Sequence, residues 1–267
     1  GCTRMRSSLD KRHKKDPKPV RGAAQTGEAR AERVERLAYV FTLVSFILPM
    51  GYILYQIAIA PKSAPPDSMG VRVKADYVLM LLECLLGVVV IHLPSVLEKR
   101  FRFELPTALT LLYIVFLYCA IFLGEVRDFY YRVPHWDTIL HAMSSVMAGV
   151  FGFTVVALLN RNERIAISLS PLFVALFAFC FAVTLGVLWE VYEYTFDGIL
   201  GLNMQKFRLA DGTVLAGHAA ISDTMKDIMV DAAGALLASL TGYFSLKSRS
   251  GWCSDIIKHY CDKRGAA

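Results

Sequence analysis

Long apolar blocks alternate with short polar segments along this chain of 267 residues. Six blocks approach the twenty or so residues that a helix needs to cross a bilayer. The first runs from Leu37 to about Ala60, with Pro49 and Gly51 as candidate bends. The second begins near Tyr77 and ends by Pro94. The third opens at Leu105 and Pro106, a sound helix start, and reaches about Glu125. The fourth runs from Trp136 to Leu159. The fifth follows Ser170 and Pro171 and continues to about Asp197. The sixth starts near Asp223, with Ser222 as its cap, and ends near Phe244. The blocks do not alternate apolar and polar residues as barrel strands do. The pattern predicts an all-α polytopic membrane protein, with six transmembrane helices in one bundle. The expected organisation is a disordered basic cytoplasmic tail over 1–36, the six-helix transmembrane domain over 37–244, and a cytoplasmic tail over 245–267.

Composition and charge agree with this reading. The chain is 55% apolar and 19% charged, a balance that soluble domains of this size rarely reach. The net charge is +6, and the basic residues are unevenly placed. Segment 1–36 carries eleven Arg and Lys residues. Lys99, Arg100 and Arg102 follow the second block. Arg161 and Arg164 follow the fourth. Lys247, Arg249, Lys258, Lys263 and Arg264 follow the sixth. With six spans these four segments share one side, which the positive-inside rule assigns to the cytoplasm. The expected location is the bacterial inner membrane, with both termini cytoplasmic. Orientation and contact with anionic lipid explain the basic tail, so no nucleic-acid partner is expected. The outer loops are then 61–76, roughly 126–135, and 198–222.

Smaller signals change little. Of six cysteines, Cys84, Cys119 and Cys180 fall within blocks and Cys2, Cys253 and Cys261 in the tails. With no CxxC pair, neither a zinc ribbon nor a disulfide scaffold is indicated. Gly1 at the head of the sequence points to trimming or a cloning scar. Phe129, Tyr130, Tyr131 and Trp136 look like an interfacial aromatic belt. Trp252, Ile256, Ile257 and Tyr260 could share one face of a short surface helix. There is no nucleotide loop or dinucleotide fingerprint, and no repeat of the kind that builds two-fold transporters.

The ionisable residues inside the blocks carry the functional information, because such residues are costly in a membrane. Glu125 ends the third block on the outer side. Asp137 and His141 begin the fourth there, one turn apart. Glu190, Glu193 and Asp197 end the fifth on one helix face. Asp223, Asp227 and Asp231 begin the sixth at four-residue spacing, again one face. Glu83 lies about two turns down the second. At 1.5 Å per residue, Asp231 sits roughly 12 Å below Asp223, so the polar stripes reach about halfway into the bilayer. Several of these positions, Glu125, Asp197 and Asp223 above all, are also compatible with facing headgroups and water, and Asp223 suits the positive end of its helix.

Converging carboxylates repel one another, and a divalent cation removes the conflict. Carboxylates with one imidazole suit Mg²⁺, Mn²⁺, Fe²⁺ or Zn²⁺. The expected metal ligands are Asp137, His141, Glu190, Glu193, Asp227 and Asp231. Glu193, Asp227 and Glu83 are candidate catalytic groups. Small residues around Gly149, Gly152 and Gly234, with Gly124 and Gly186, would let the helices approach closely. Loop 198–222 is long enough to cover the site as a lid, with a turn at Asp211 and Gly212. Arg127, Arg132, Lys206 and Arg208 border the opening and favour an anionic ligand such as a phosphate. Glu125, Arg127, Lys206, Arg208 and Lys226 are the candidate substrate-binding residues.

A resemblance rests on an ordered set of motifs over roughly 80–244. It comprises Leu123-Gly124-Glu125, Phe129-Tyr130, Trp136-Asp137 through His141 and Ser144, Trp189-Glu190-Val191-Tyr192-Glu193, Asn203-Met204-Gln205, and Asp223-Thr224 through Asp227, Asp231 and Gly234. In these the chain resembles the YjdF-like family of bacterial inner-membrane proteins. It is more loosely similar to VanZ-like membrane proteins, from which Glu193 and the three-Asp ladder depart. The resemblance implies a shared scaffold and transfers no reaction.

The leading functional expectation is a divalent-metal-dependent membrane enzyme open to the periplasmic side. It would hydrolyse or transfer a phosphate on a membrane lipid or lipid-linked substrate. The alternative is a divalent-cation or proton-coupled transporter, against which the apolar cytoplasmic halves count. His92, near Pro94, is the one modest candidate for an inner route. A di-iron oxidoreductase would want more histidine, and a purely structural metal staple is the remaining class. A homo-oligomer is compatible with all of these.

Overall fold

The computed structural model describes residues 21–62, 72–101, 105–159, 169–209 and 212–256. Helix α1 is Arg21–Ile59, α2 Lys74–Val90, α3 Leu93–Phe101 and α4 Thr107–Leu117. The last continues as a π-helical segment, Tyr118–Val126. Then follow the short α5, Phe129–Arg132, and the long α6 Trp136–Leu159, α7 Pro171–Leu200 and α8 His218–Ser248. Six of the helical runs are long and apolar enough to cross a membrane. The chain is therefore an all-α, multi-pass membrane protein. Among the described residues the only strand-like feature is an isolated bridge between Arg208 and Val214. Cys2, Arg102, Arg161, Arg164, Asp211, Ile257, Lys258, Tyr260, Cys261, Lys263 and Arg264 lie outside the described residues, as does the tail before Arg21. Cys84, Cys119, Cys180 and Cys253 are free thiols.

Helix ends follow local chemistry more than the limits of the apolar blocks. At α7 the Ser170 hydroxyl accepts from the Phe173 amide and Pro171 fills the first turn, which needs no amide donor. Gly201, at φ 67°, closes the same helix by donating to the Asp197 carbonyl, a left-handed cap. Helix α8 begins at His218, a turn ahead of the expected start, and Ser222 is internal to it, donating to the His218 carbonyl. Helix α1 starts at Arg21, well before the apolar block.

The second span is broken between Val90 and Leu93. Pro94 has no amide proton to give the Val90 carbonyl four residues back. The Tyr113 hydroxyl from α4 takes that place, at 2.7 Å.

The helices form two packed groups. In one, α6, α7 and α8 contact each other pairwise along their lengths; in the other, α1 lies on α2, α4 and the π segment. Phe46, Met80, Cys84 and Ile121 centre the second core. Phe153, Val174, Ala178 and Leu246 centre the first. Small residues permit the tightest crossing, since a side chain at Gly234 would collide with Ser145 of α6. Contact between α4 and α6 joins the groups, and a partly open cavity of about 600 Å³ remains between them. Trp252 meets Phe153 edge to face at 5.4 Å, and Cys253 and Ser254 are fully buried. The segment expected as a surface helix thus folds against the bundle through these residues.

Candidate metal centre and its cavity

The up-and-down order of the spans brings the end of the π segment, the start of α6, the end of α7 and the start of α8 to one side. His141 of α6 is the hub of what they assemble. Its Nδ1 lies 3.3 Å from both carboxylate oxygens of Asp231 on α8. Its Nε2 faces three other carboxylates: Asp137 Oδ1 at 3.9 Å, Glu190 Oε1 at 3.9 Å and Asp227 Oδ2 at 4.0 Å. These three distances are too long for hydrogen bonds. They are short enough for donors around a common cation. Ligand atoms from Asp137, His141 and Asp227 all lie within 4.8 Å of one another. A tetrahedral ion bound at about 2.0–2.2 Å would space its ligands roughly 3.4 Å apart, so the His141 pairs would contract by about half an ångström and the widest pair by up to about 1.4 Å.

Glu190 supplies a second, independent sign of a ligand. Its side chain is 4% exposed, and neither carboxylate oxygen has a hydrogen-bond partner among the described residues. Thr224 is its polar neighbour but does not reach bonding geometry, and the Thr224 hydroxyl accepts from Gln205 Nε2 at 2.7 Å. A buried carboxylate with no partner is expensive, whereas a cation beside it removes the penalty. Asp231 has a different place from the other carboxylates. It sits on the far ring nitrogen of His141, where a carboxylate orients an imidazole toward a metal. Gly186 of α7 makes room for it, because any side chain there would overlap the Asp231 carboxylate.

The other expected site residues divide between the cavity and the surface. Glu83, Glu125, Glu193 and Lys206 line the cavity together with Asp137, His141 and Asp231. Glu193 lies apart from the His141 group, and its Oε1 accepts from Trp189 Nε1 at 2.9 Å. Arg127 and Lys226 are exposed. Arg208 is half-buried, with its guanidinium 5.5 Å from the Phe207 ring centre. None of these three lines the cavity. Asp197 serves the loop: its two carboxylate oxygens accept from the amides of Met204 and Gln205, at 2.8 and 3.0 Å. No described contact draws Asp223 into the centre.

That loop delivers Lys206 into the cavity. Asn203 braces it, accepting from the Arg208 amide at 2.8 Å and donating to the Arg208 carbonyl at 2.8 Å. Lys206 has a positive φ of 51°. Its ammonium donates to the Met204 carbonyl at 3.0 Å and lies 4.5 Å above the Tyr130 ring, a cation–π geometry. Burial works against the Lys206 charge, but Asp137, Glu125 and Glu193 outweigh it and hold the ammonium pKa above its ordinary value. Burial, then Glu83 and Asp137, push the Tyr130 hydroxyl well above its ordinary value, so it stays a proton donor.

Sequence reasoning placed Tyr130 and Tyr131 in a lipid-facing belt. The structure puts Tyr130 in the cavity wall, and Tyr131 accepts from Asn203 Nδ2 at 3.3 Å. Gly124 is what admits Tyr130, since a side chain there would strike its ring. Arg72 was missed altogether. Its Nη2 donates to the Glu125 carbonyl at 3.1 Å and pairs with Asp128 at 3.0 Å. It thereby fixes the end of the π segment, where Arg127 donates to the Phe122 carbonyl five residues back. A lone arginine in a polar loop gives no sequence signal of that role.

Residues 68–248 match the protein family described as "Predicted membrane protein (DUF2238)". The chain is also similar to an uncharacterized protein of Thermotoga maritima. The two are 31% identical over 162 residues, which cover 60% of this chain and 74% of the relative. No solved structure matches.

Proposed function

We propose that this chain, which belongs to the DUF2238 family of predicted membrane proteins, is a divalent-metal-dependent enzyme acting on a lipid or lipid-linked phosphate. The reading rests on one observation above all. Glu190 is buried with no hydrogen-bond partner among the described residues, and it faces His141 alongside Asp137 and Asp227.

In this reading Asp137, His141, Glu190 and Asp227 hold the cation, and Asp231 orients His141. A cation there supplies Lewis acidity toward a phosphoryl oxygen. The chain's own groups do the rest. Lys206 and Tyr130 draw the phosphate into the polar end of the cavity and neutralise its charge as it changes. Glu193 or Glu83 takes the proton of the attacking water or hydroxyl. The new P–O bond forms as the bond to the leaving oxygen breaks, and that oxygen recovers a proton from the same carboxylate. The distribution of Lys and Arg supports a site on the periplasmic side of a bacterial inner membrane with both termini in the cytoplasm. The YjdF-like resemblance supports the same location.

The test is elemental analysis of protein purified without chelator, paired with phosphate release from lipid phosphates in nanodiscs. Wild-type protein should carry a bound divalent cation, and Asp227→Asn and Glu190→Gln should lose both cation and turnover. A metal-free wild type that takes up no added Mg²⁺, Mn²⁺, Fe²⁺ or Zn²⁺ would end the proposal.

A further inference from the structure

Asp137, His141 and Asp231 line one end of the cavity, whereas Glu190 and Asp227 lie outside its lining. The remainder runs inward between the two helix groups. On one helix run it is bordered by Glu125, Ala120, Phe116, Tyr113 and Leu109 in succession. At the rise of a helix this face is on the order of 20 Å long, most of the thickness of a bilayer's hydrocarbon core. Across from it stand Val90, Leu93 and Leu97 of the broken second span.

Three hydroxyls on the lining are spent on backbone. Tyr113 donates to the Val90 carbonyl, Ser144 to the His141 carbonyl and Ser145 to the Ala142 carbonyl. Thr110 is a further hydroxyl along the inner part. The inner lining is otherwise apolar, so the space suits an apolar occupant.

Its dimensions narrow the choice. About 600 Å³ spread over roughly 20 Å gives a mean section of ~30 Å². A hydrocarbon chain with neighbours at about 4 Å needs on the order of 20 Å², so a chain fits lengthwise. The inner end is bordered by packed apolar side chains. Ile256 packs on Ala157 together with Leu97 and Leu105, which line that end of the cavity. The segment bearing Ile256 is pinned by Trp252 on Phe153 and by the Ser254 amide donating to Ser245 Oγ at 3.1 Å.

We propose that this inner limb takes up a hydrocarbon chain of an amphiphile whose phosphate head rests beside Lys206, and that the packed side chains of Leu97, Leu105 and Ile256 at its inner end limit the chain length accepted. The head chemistry rests on the function proposed above, whereas the apolar limb stands on the cavity alone.

The probes are octyl, dodecyl, hexadecyl and eicosyl phosphate, competing with radiolabelled dodecyl phosphate on the full chain in nanodiscs. Inorganic phosphate and hexadecylamine serve as the arms that separate head from tail. Affinity should rise with chain length and then fall at a cut-off. Inorganic phosphate should not compete, and the amine should bind less well than the phosphate. Leu109→Trp should move the cut-off to shorter chains, costing hexadecyl phosphate about tenfold or more while octyl phosphate and bound metal stay unchanged. Leu109→Phe, a smaller intrusion, should shift it in the same direction if the tryptophan variant does not fold. Affinity that rises without a cut-off, a cut-off that neither variant moves, or competition by inorganic phosphate overturns the proposal. Loss of the metal reading with the cut-off intact would overturn only the function proposed above.

Discussion

Glu190→Gln separates a metal ligand from an ordinary buried carboxylate, because the two roles predict opposite signs. In the protein Glu190 is 4% exposed, has no hydrogen-bond partner among the described residues, and lies with Asp137 and Asp227 around one face of His141. Without a cation it is an unsatisfied acceptor among other acceptors. Glutamine keeps its shape, removes its charge and offers an N–H₂ group to Asp137 or Asp227. In chelator the variant should therefore be more stable than the wild type, by about 1–3 kcal/mol. That is a rise of a few degrees in unfolding temperature, at roughly 2–4 °C per kcal/mol for a chain this size. With metal that advantage should shrink by a comparable amount. A cation at a hundredfold excess over its Kd stabilises the folded state by about 2.7 kcal/mol. Losing a ligand at a cost of ten- to a hundredfold in affinity removes about 1.3–2.3 kcal/mol of that. The assay is thermal unfolding in detergent, with chelator and with added Mn²⁺ or Zn²⁺. A variant destabilised equally in both conditions would mean that protein groups already satisfy Glu190, and the cation argument would fall.

Four further outcomes follow from the same geometry. Asp231→Asn should weaken metal binding ten- to a hundredfold by releasing the His141 ring, with little change in stability in chelator, as read by calorimetric titration. Gly186→Ala should give the same loss of affinity, because its methyl group displaces Asp231, and should add about 1–3 kcal/mol of destabilisation from overpacking. Asp197→Ala should orphan the amides of Met204 and Gln205. Hydrogen exchange there should quicken as the loop loses about 1–3 kcal/mol per unmade bond, with lipid-phosphate turnover falling as Lys206 loses its place. Tyr113→Phe should strand the Val90 carbonyl at the break in the second span and cost about 1–3 kcal/mol in thermal unfolding, with metal content unchanged.

The sequence by itself determined the class of fold. Apolar runs of spanning length have one helical solution in a membrane, because each backbone group must be satisfied within its own segment. It also identified the chemistry worth pursuing. Asp137 and His141, Glu190 and Glu193, and Asp227 and Asp231 are spaced to share helix faces, and a carboxylate inside a span needs a reason to be there. Spacing along one helix says nothing of what faces it across the bundle, however. Only packing could decide that Glu190 reaches His141 while Glu193 turns to Trp189 and the cavity, or that Asp231 approaches the opposite ring nitrogen from Asp227. Lys206, Tyr130 and Arg72 were harder still. They lie in connecting segments, whose backbone path is set by contacts such as Asp197 with Met204 and Arg72 with Asp128, and no periodicity encodes those. The cavity was beyond the sequence altogether. It is the space left where two groups of helices fail to close on each other, and a volume between surfaces exists only once both surfaces are in place.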